Sequence, residues 1–195
     1  RLPELSAVST FYQPFFTGTS GNNVYLPNDS RELFNIADLY ECGNGFLEAL
    51  EVPLIAGKSF TEDVAWSHEV MVSRRFVDKM KAFADWKDGA VGKQILVTEH
   101  SGANNDEPFT ICGVYDDIRI GTIQEEDERP SILFYSSDPE ESNYLLLKFH
   151  HMTPEAMQHV RQELQKLMPD REVELSDWRA EMAARYADTQ RFRNA

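Results

Sequence analysis

The sequence predicts an α+β domain of two lobes. An amphipathic helix with clear start and stop signals occupies residues 153–168 between strand-like segments, and a second helix follows a short apolar run at 70–72. The remaining apolar runs are strand-sized and separated by turn-rich stretches, and this mixture of the two periodicities is the signature of the class. The chain has 195 residues, between one large domain and two small ones, which suits a two-lobed unit.

The composition supports a packed core and removes several functions. Hydrophobic residues make up 42% and aromatic residues 11%, more than a disordered chain carries. Lys and Arg number 19 against 33 Asp and Glu, a formal charge of -14. That balance repels a phosphate backbone, so no nucleic-acid partner is expected, and no basic cluster exists to hold anionic lipid. No apolar run reaches the roughly 18 residues of a transmembrane helix. The first residue is Arg1, without an initiator Met or a signal peptide, so the chain is expected to be a piece of a longer protein. Cys42 and Cys112 do not establish an oxidising compartment, and Cys112, inside an apolar run, reads as a small hydrophobe.

In chain order, residues 5–16 are β-prone and aromatic until Pro14 interrupts them, and 18–23 read as a loop. Residues 33–39 alternate as a strand, and 44–50 form a short helix before Pro53. After the strand at 70–72, Ser73 caps a helix whose Phe76, Val77, Met80, Phe83 and Ala84 form one apolar face, with Asp88 and Gly89 at its end. Residues 94–98 and 109–115 make a hairpin around a polar, mobile loop at 100–108, the acids from Glu125 to Glu128 mark another loop, and 132–135 return to strand. Residues 144–149, the helix capped by Thr153 with Pro154 at its first position, and a strand at 172–175 make a β-α-β unit. Ser176 caps a last helix, where Trp178, Met182 and Tyr186 fall at i, i+4 and i+8.

No constellation for catalysis is present: no GxSxG elbow, no HExxH, and no GxxxxGK[ST] loop to cradle phosphates. Gly43-Asn44-Gly45 lacks the third glycine of a dinucleotide site. No catalytic residue, cofactor site or metal site is therefore expected. His150, His151 and His159 suggest a metal site only superficially, because adjacent histidines on a strand point to opposite faces and no Cys or carboxylate completes a ligand set. The acids at 125–128 lack the spacing and glycine of a calcium loop. Two groups are interaction candidates: Phe11 and Phe15, with Tyr12 and Phe16 beside them, and the stripe of Trp178, Met182 and Tyr186. For each, ordinary packing onto the chain's own sheet is the default reading.

Five segments in order carry a family resemblance. GFLEALEVPLIAGKSF at 45–60, VMVSRRF at 70–76, GAVGKQI at 89–95, FTICGVYDD at 109–117 and YADTQRF at 186–192 together resemble the MacB-like periplasmic core domain of FtsX/MacB-type ABC transporter permeases. Lys58 stands where the family usually has Arg, and Ser73 where it has Asn. The resemblance implies a porter-like lobe from residues 1–60 and 140–195 with a smaller, mostly β, Sabre-like lobe inserted at 61–139. It further implies a non-enzymatic domain facing the periplasm from a multi-pass permease of the bacterial inner membrane, with both chain ends on the lobe nearest the membrane. Such a domain passes the cycle of a cytoplasmic ABC ATPase subunit, separate or fused, to an export substrate or a periplasmic partner, and such permeases can pair as dimers. The rival readings are a periplasmic hydrolase, which needs a nucleophile and base the sequence does not display, and a stand-alone adaptor or solute-binding domain.

Overall fold

A computed structural model describes residues 2–12, 21–60, 68–98, 107–118, 128–136, 144–181 and 183–184, with residues 37–40 described by their backbone alone. The strands are β1 (Leu5–Phe11), β2 (Gly21–Tyr25), β3 (Phe34–Cys42), β4 (Leu54–Gly57), β5 (Glu69–Ser73), β6 (Gln94–Val97), β7 (Phe109–Tyr115), β8 (Ser131–Tyr135) and β9 (Tyr144–Phe149). The helices are α1 (Phe46–Leu50), α2 (Arg74–Met80) and α3 (Pro154–Leu167), and residues 178–181 and 183–184 are helical as well. The chain is thus α+β, as the two periodicities require. It divides into two compact units, the larger drawn from the residues between Ala7 and Lys148 and the smaller from the amino-terminal residues through Ser6 together with those from Phe149 onward.

The sheet of the larger unit runs β2-β6-β7-β5-β8-β3-β1-β9, with β4 on β7 and a further pairing of β2 with β3. That last pairing closes β2, β6, β7, β5, β8 and β3 into a ring, which removes the free edges of those strands. The pairs β3–β8 and β5–β7 are parallel, and the pairs β2–β3, β2–β6, β6–β7 and β5–β8 are antiparallel. β3, from the first expected lobe, therefore pairs directly with β8, from the expected insert.

Alternation decides what the strands bury. Val70 and Val72 of β5, Ile132 and Phe134 of β8, Phe34 and Ile36 of β3, Val24 of β2, Ile95 and Val97 of β6 and Ile111 of β7 form one core, which Phe76 and Met80 of α2 join. Phe109 meets Phe134 edge to face at 5.1 Å between ring centroids, and Phe34 meets Phe76 likewise at 5.3 Å. On the other face of β5 and β8, Met71 and Leu133 are also buried, so these strands read as continuous apolar runs, as strands covered on both faces do.

Two local devices hold this arrangement. Ser73, at the end of β5, accepts the Phe76 N–H at 3.2 Å as N-cap of α2 and the Ser131 N–H at 3.1 Å, while Ser131 Oγ lies 2.7 Å from Tyr115 Oη. All three residues are buried. Where β4 crosses β7, Gly57 lies opposite Gly113. Gly57 has φ +76, and a Cβ there would lie 2.2 Å from the Cys112 carbonyl oxygen; a Cβ on Gly113 would lie 2.5 Å from the Lys58 carbonyl oxygen. Both positions need the bare backbone.

In the smaller unit, α3 starts as expected, with Thr153 Oγ1 accepting the Ala156 N–H at 3.1 Å. The strand expected at 172–175 is absent. The Val173 N–H donates to Gln165 Oε1 at 3.0 Å and its carbonyl accepts from Arg161 Nε at 2.9 Å, so α3 side chains take the groups a sheet partner would need. The last helix is capped by Asp177 rather than Ser176: Asp177 Oδ1 accepts the Arg179 and Ala180 N–H groups at 2.9 and 3.3 Å. In the larger unit, β2 begins at Gly21 inside the expected loop, and α2 stops at Met80, before Phe83 and Ala84. The loop at 100–106, the acids at 125–127 and most of the final helix lie outside the described residues.

Replacing Ser73 by Ala leaves two buried N–H groups without an acceptor, so Ser73→Ala is expected to cost about 2–4 kcal/mol in urea denaturation, with the slope of the transition unchanged. Gly57→Ala is expected to cost about 2 kcal/mol or more, because the left-handed φ and the Cys112 carbonyl both oppose the added methyl. A loss below about 0.5 kcal/mol in either variant contradicts the assigned role.

Candidate functional site

Among the described residues, no group of three or more His, Cys, Asp or Glu side chains is placed to hold a metal ion, and no helix is long and apolar enough to cross a membrane. What the structure presents instead is an aromatic border on the larger unit. Along β1, Ala7 and Ser9 are buried while Val8 is 49% exposed, so Phe11 falls on the buried face by alternation. There its ring stacks on Tyr144 of β9 at 5.3 Å and tilts against the buried Phe46 of α1 at 6.2 Å. Tyr144 is 46% exposed, and Val8 and Tyr12 of the amino-terminal segment and Leu145 of β9 are exposed as well. Lys148 fastens β9 to α1, with Nζ 3.4 Å from the Glu48 carbonyl oxygen and 3.2 Å from Glu51 Oε1.

Phe11 is therefore an internal support for an exposed tyrosine, Tyr144, which a reading of residues 5–16 could not find. Its signal was its place at the first position of an apolar strand. Phe15 lies outside the described residues. Of the second candidate group, Trp178 is half-buried in the smaller unit one residue past the Asp177 cap, whereas the Met182 side chain and Tyr186 lie outside the description. His150 and His151 sit in a bend after β9 rather than on the strand, both exposed, and His159 faces Glu4 of the amino-terminal segment.

The two cysteines are free and buried. Burial pushes the Cys112 thiol up to about 11, aided by the charge of Glu69, and burial pushes Cys42 up as well. Neither is a nucleophile, since the thiolate is the reactive form.

This arrangement, a closed mixed sheet with β4 paired on β7 at two facing glycines and a smaller unit built around α3, has the fold of the MacB-like periplasmic domain. It is similar to the periplasmic region of MacB from Actinobacillus actinomycetemcomitans, with a TM-score of 0.53 at 16% identity over 87% of this chain and 71% of that one. It is similar to a domain of a putative permease protein from Porphyromonas gingivalis, with a TM-score of 0.55 at 21% identity over 95% and 85%. The extracellular domain of the noncanonic ABC-type transporter YknZ from Gram-positive bacteria matches with a TM-score of 0.53 at 9% identity over 88% and 80%. No family profile matches the chain, and no curated protein matches it either.

Because both thiols are buried and protonated at neutral pH, the native protein at pH 8 is expected to resist a disulfide-exchange reagent that titrates both cysteines once the chain is unfolded. Reductant is expected to leave the melting temperature unchanged. Rapid native labelling, or a melting shift worth about 2 kcal/mol on reduction, overturns this.

Proposed function

We propose that the chain is the periplasmic domain of an ABC transporter permease, a module without a catalytic site of its own that couples the ATPase cycle of a cytoplasmic partner subunit to an export substrate or a periplasmic partner protein. The observation that carries this reading is the likeness, over 87–95% of the chain, to domains of three transporter or permease proteins. The grouping of the amino-terminal residues through Ser6 with the described residues from Phe149 onward in one compact unit supports it, because a domain inserted between two membrane helices must return to its starting side. On this reading the full protein is a multi-pass protein of the bacterial inner membrane and can act as a permease dimer. Phe11, Tyr144 and Trp178 are then the described residues proposed to serve contact with a partner or substrate, with Phe15, Met182 and Tyr186 beside them in the sequence.

Motion between such a domain and the membrane has to pass through the chain after α3. The helical residues 178–181 and 183–184 belong to the proposed lever, and a lever transmits only while its hydrogen-bond ladder is continuous. Ala184→Pro kinks it at a cost of about 3 kcal/mol. In the full-length permease this variant is expected to lose transport or signalling while the ATPase partner still binds, and the isolated domain is expected to show no saturable ATP binding in calorimetry. Normal transport by a normally expressed Ala184→Pro protein removes the lever, and ATP binding by the domain removes the non-catalytic reading.

A further inference from the structure

The smaller unit contains a charge arrangement that the transporter reading leaves unused. Glu4 lies in the amino-terminal segment just before β1, and His159 lies near the middle of α3. His159 Nδ1 is 2.5 Å from Glu4 Oε1, and its Nε2 is 3.8 Å from Glu163 Oε1. The same Glu163 oxygen receives Lys166 Nζ at 2.5 Å. Glu4 is anchored a second time, since its main-chain carbonyl accepts the His150 N–H at 2.9 Å. Glu4 and Glu163 are the charged groups paired with the imidazole, and Lys166 reaches the cluster only through Glu163.

Both ring nitrogens thus look at carboxylate oxygens. A neutral imidazole has one N–H and one lone pair, so it satisfies one carboxylate and turns its lone pair on the other, whereas an imidazolium donates from both. The alternating row Glu4, His159, Glu163, Lys166 sums to zero charge with the ring protonated and to one excess negative charge without it. That excess falls in a chain already at -14, where an uncompensated carboxylate is opposed by the general field. Glu4 Oε2 is buried with no hydrogen-bond partner among the described residues, so among side chains the compensation of this carboxylate runs through Oε1 and the histidine.

We propose that Glu4, His159 and Glu163 form a proton-controlled clasp that fastens the amino-terminal segment to α3, closed while the imidazole is cationic and slack once it is neutral. The two carboxylates stay charged through the working range. Hydrogen bonds from its own backbone N–H and then from His159 hold Glu4 below the usual carboxylate range, and the Lys166 ammonium does the same for Glu163 against the opposing charge of Glu4. Groups lowered in this way contribute above the ordinary carboxylate values and stop contributing only as pH falls through the lowered ones.

The test is a double-mutant cycle on the 195-residue chain with Glu4→Gln, His159→Gln and the pair, each unfolded in urea at pH 5.5 and pH 8.5, either side of the ordinary imidazole value of about 6.5. The expected coupling is about two- to fivefold in the folding equilibrium constant at pH 5.5, the size of a partly exposed ion pair, and smaller at pH 8.5, where a neutral ring keeps only a single N–H to donate. Coupling indistinguishable from onefold at pH 5.5, or no smaller at pH 8.5, overturns the clasp. Should the double variant fail to fold, amide exchange at Leu5 and Ser6 decides the matter. His159→Gln is then expected to exchange about two- to fivefold faster than the parent at pH 5.5 and by a smaller factor at pH 8.5, and a factor no smaller at pH 8.5, or equal rates at both pH values, overturns the proposal.

Discussion

The larger unit depends on one buried hydroxyl. Ser73 stands where β5 ends, α2 begins, and β7 and β8 lie on either side, and its oxygen takes N–H groups from two of these elements at once. A helix start leaves N–H groups without partners, and a strand entering a sheet interior brings another; inside a core each is costly unless it finds an acceptor. One side chain answers both needs, and the Ser131–Tyr115 contact extends the same network to β7. The core packing of Phe76 and Met80 follows, because the angle at which α2 leaves β5 is set at this cap.

The ring closure imposes the second constraint. β2 is short, yet it pairs with β6 on one side and β3 on the other. Nothing in residues 18–25 advertised this. Asn22, Asn23 and the flanking glycine carry turn chemistry in isolation, and tertiary pairing overrides it. The helix starts at Ser73 and Thr153 and the strands at 94–97, 109–115, 131–135 and 144–149 were legible, because capping and alternation are local properties. The failures share a cause: at Val173 the side chains of α3 occupy the backbone groups, and after Met80 the chain turns away, although Phe83 and Ala84 continue the apolar spacing. Of the candidate site, Phe11 was legible as an aromatic on a strand. Its stacking on Tyr144 was not, since 133 positions (144 minus 11) separate the two.

The segments that carried the family resemblance now have physical reasons. Gly57 and Gly113 belong to two of those segments and face one another where β4 crosses β7, so a pattern that looked like ancestry is also a steric requirement. Ser73 in a third segment can replace Asn because both side chains cap helices. The roles assigned to these residues are steric and capping ones.

The strand order also governs how quickly this shape is reached. β1 is the first and β9 the last of the described strands in chain order, yet they lie side by side at one end of the sheet. Through most of synthesis, β1 therefore carries an unfilled edge, with Val8 and Phe11 open to pairing with whatever strand comes near. Closing so long a loop before any reward arrives, and forming two parallel pairs besides, places the chain among slowly folding topologies. The chain's strong negative charge then has a use before the native state exists, in keeping unfinished copies apart while that edge waits for its neighbour.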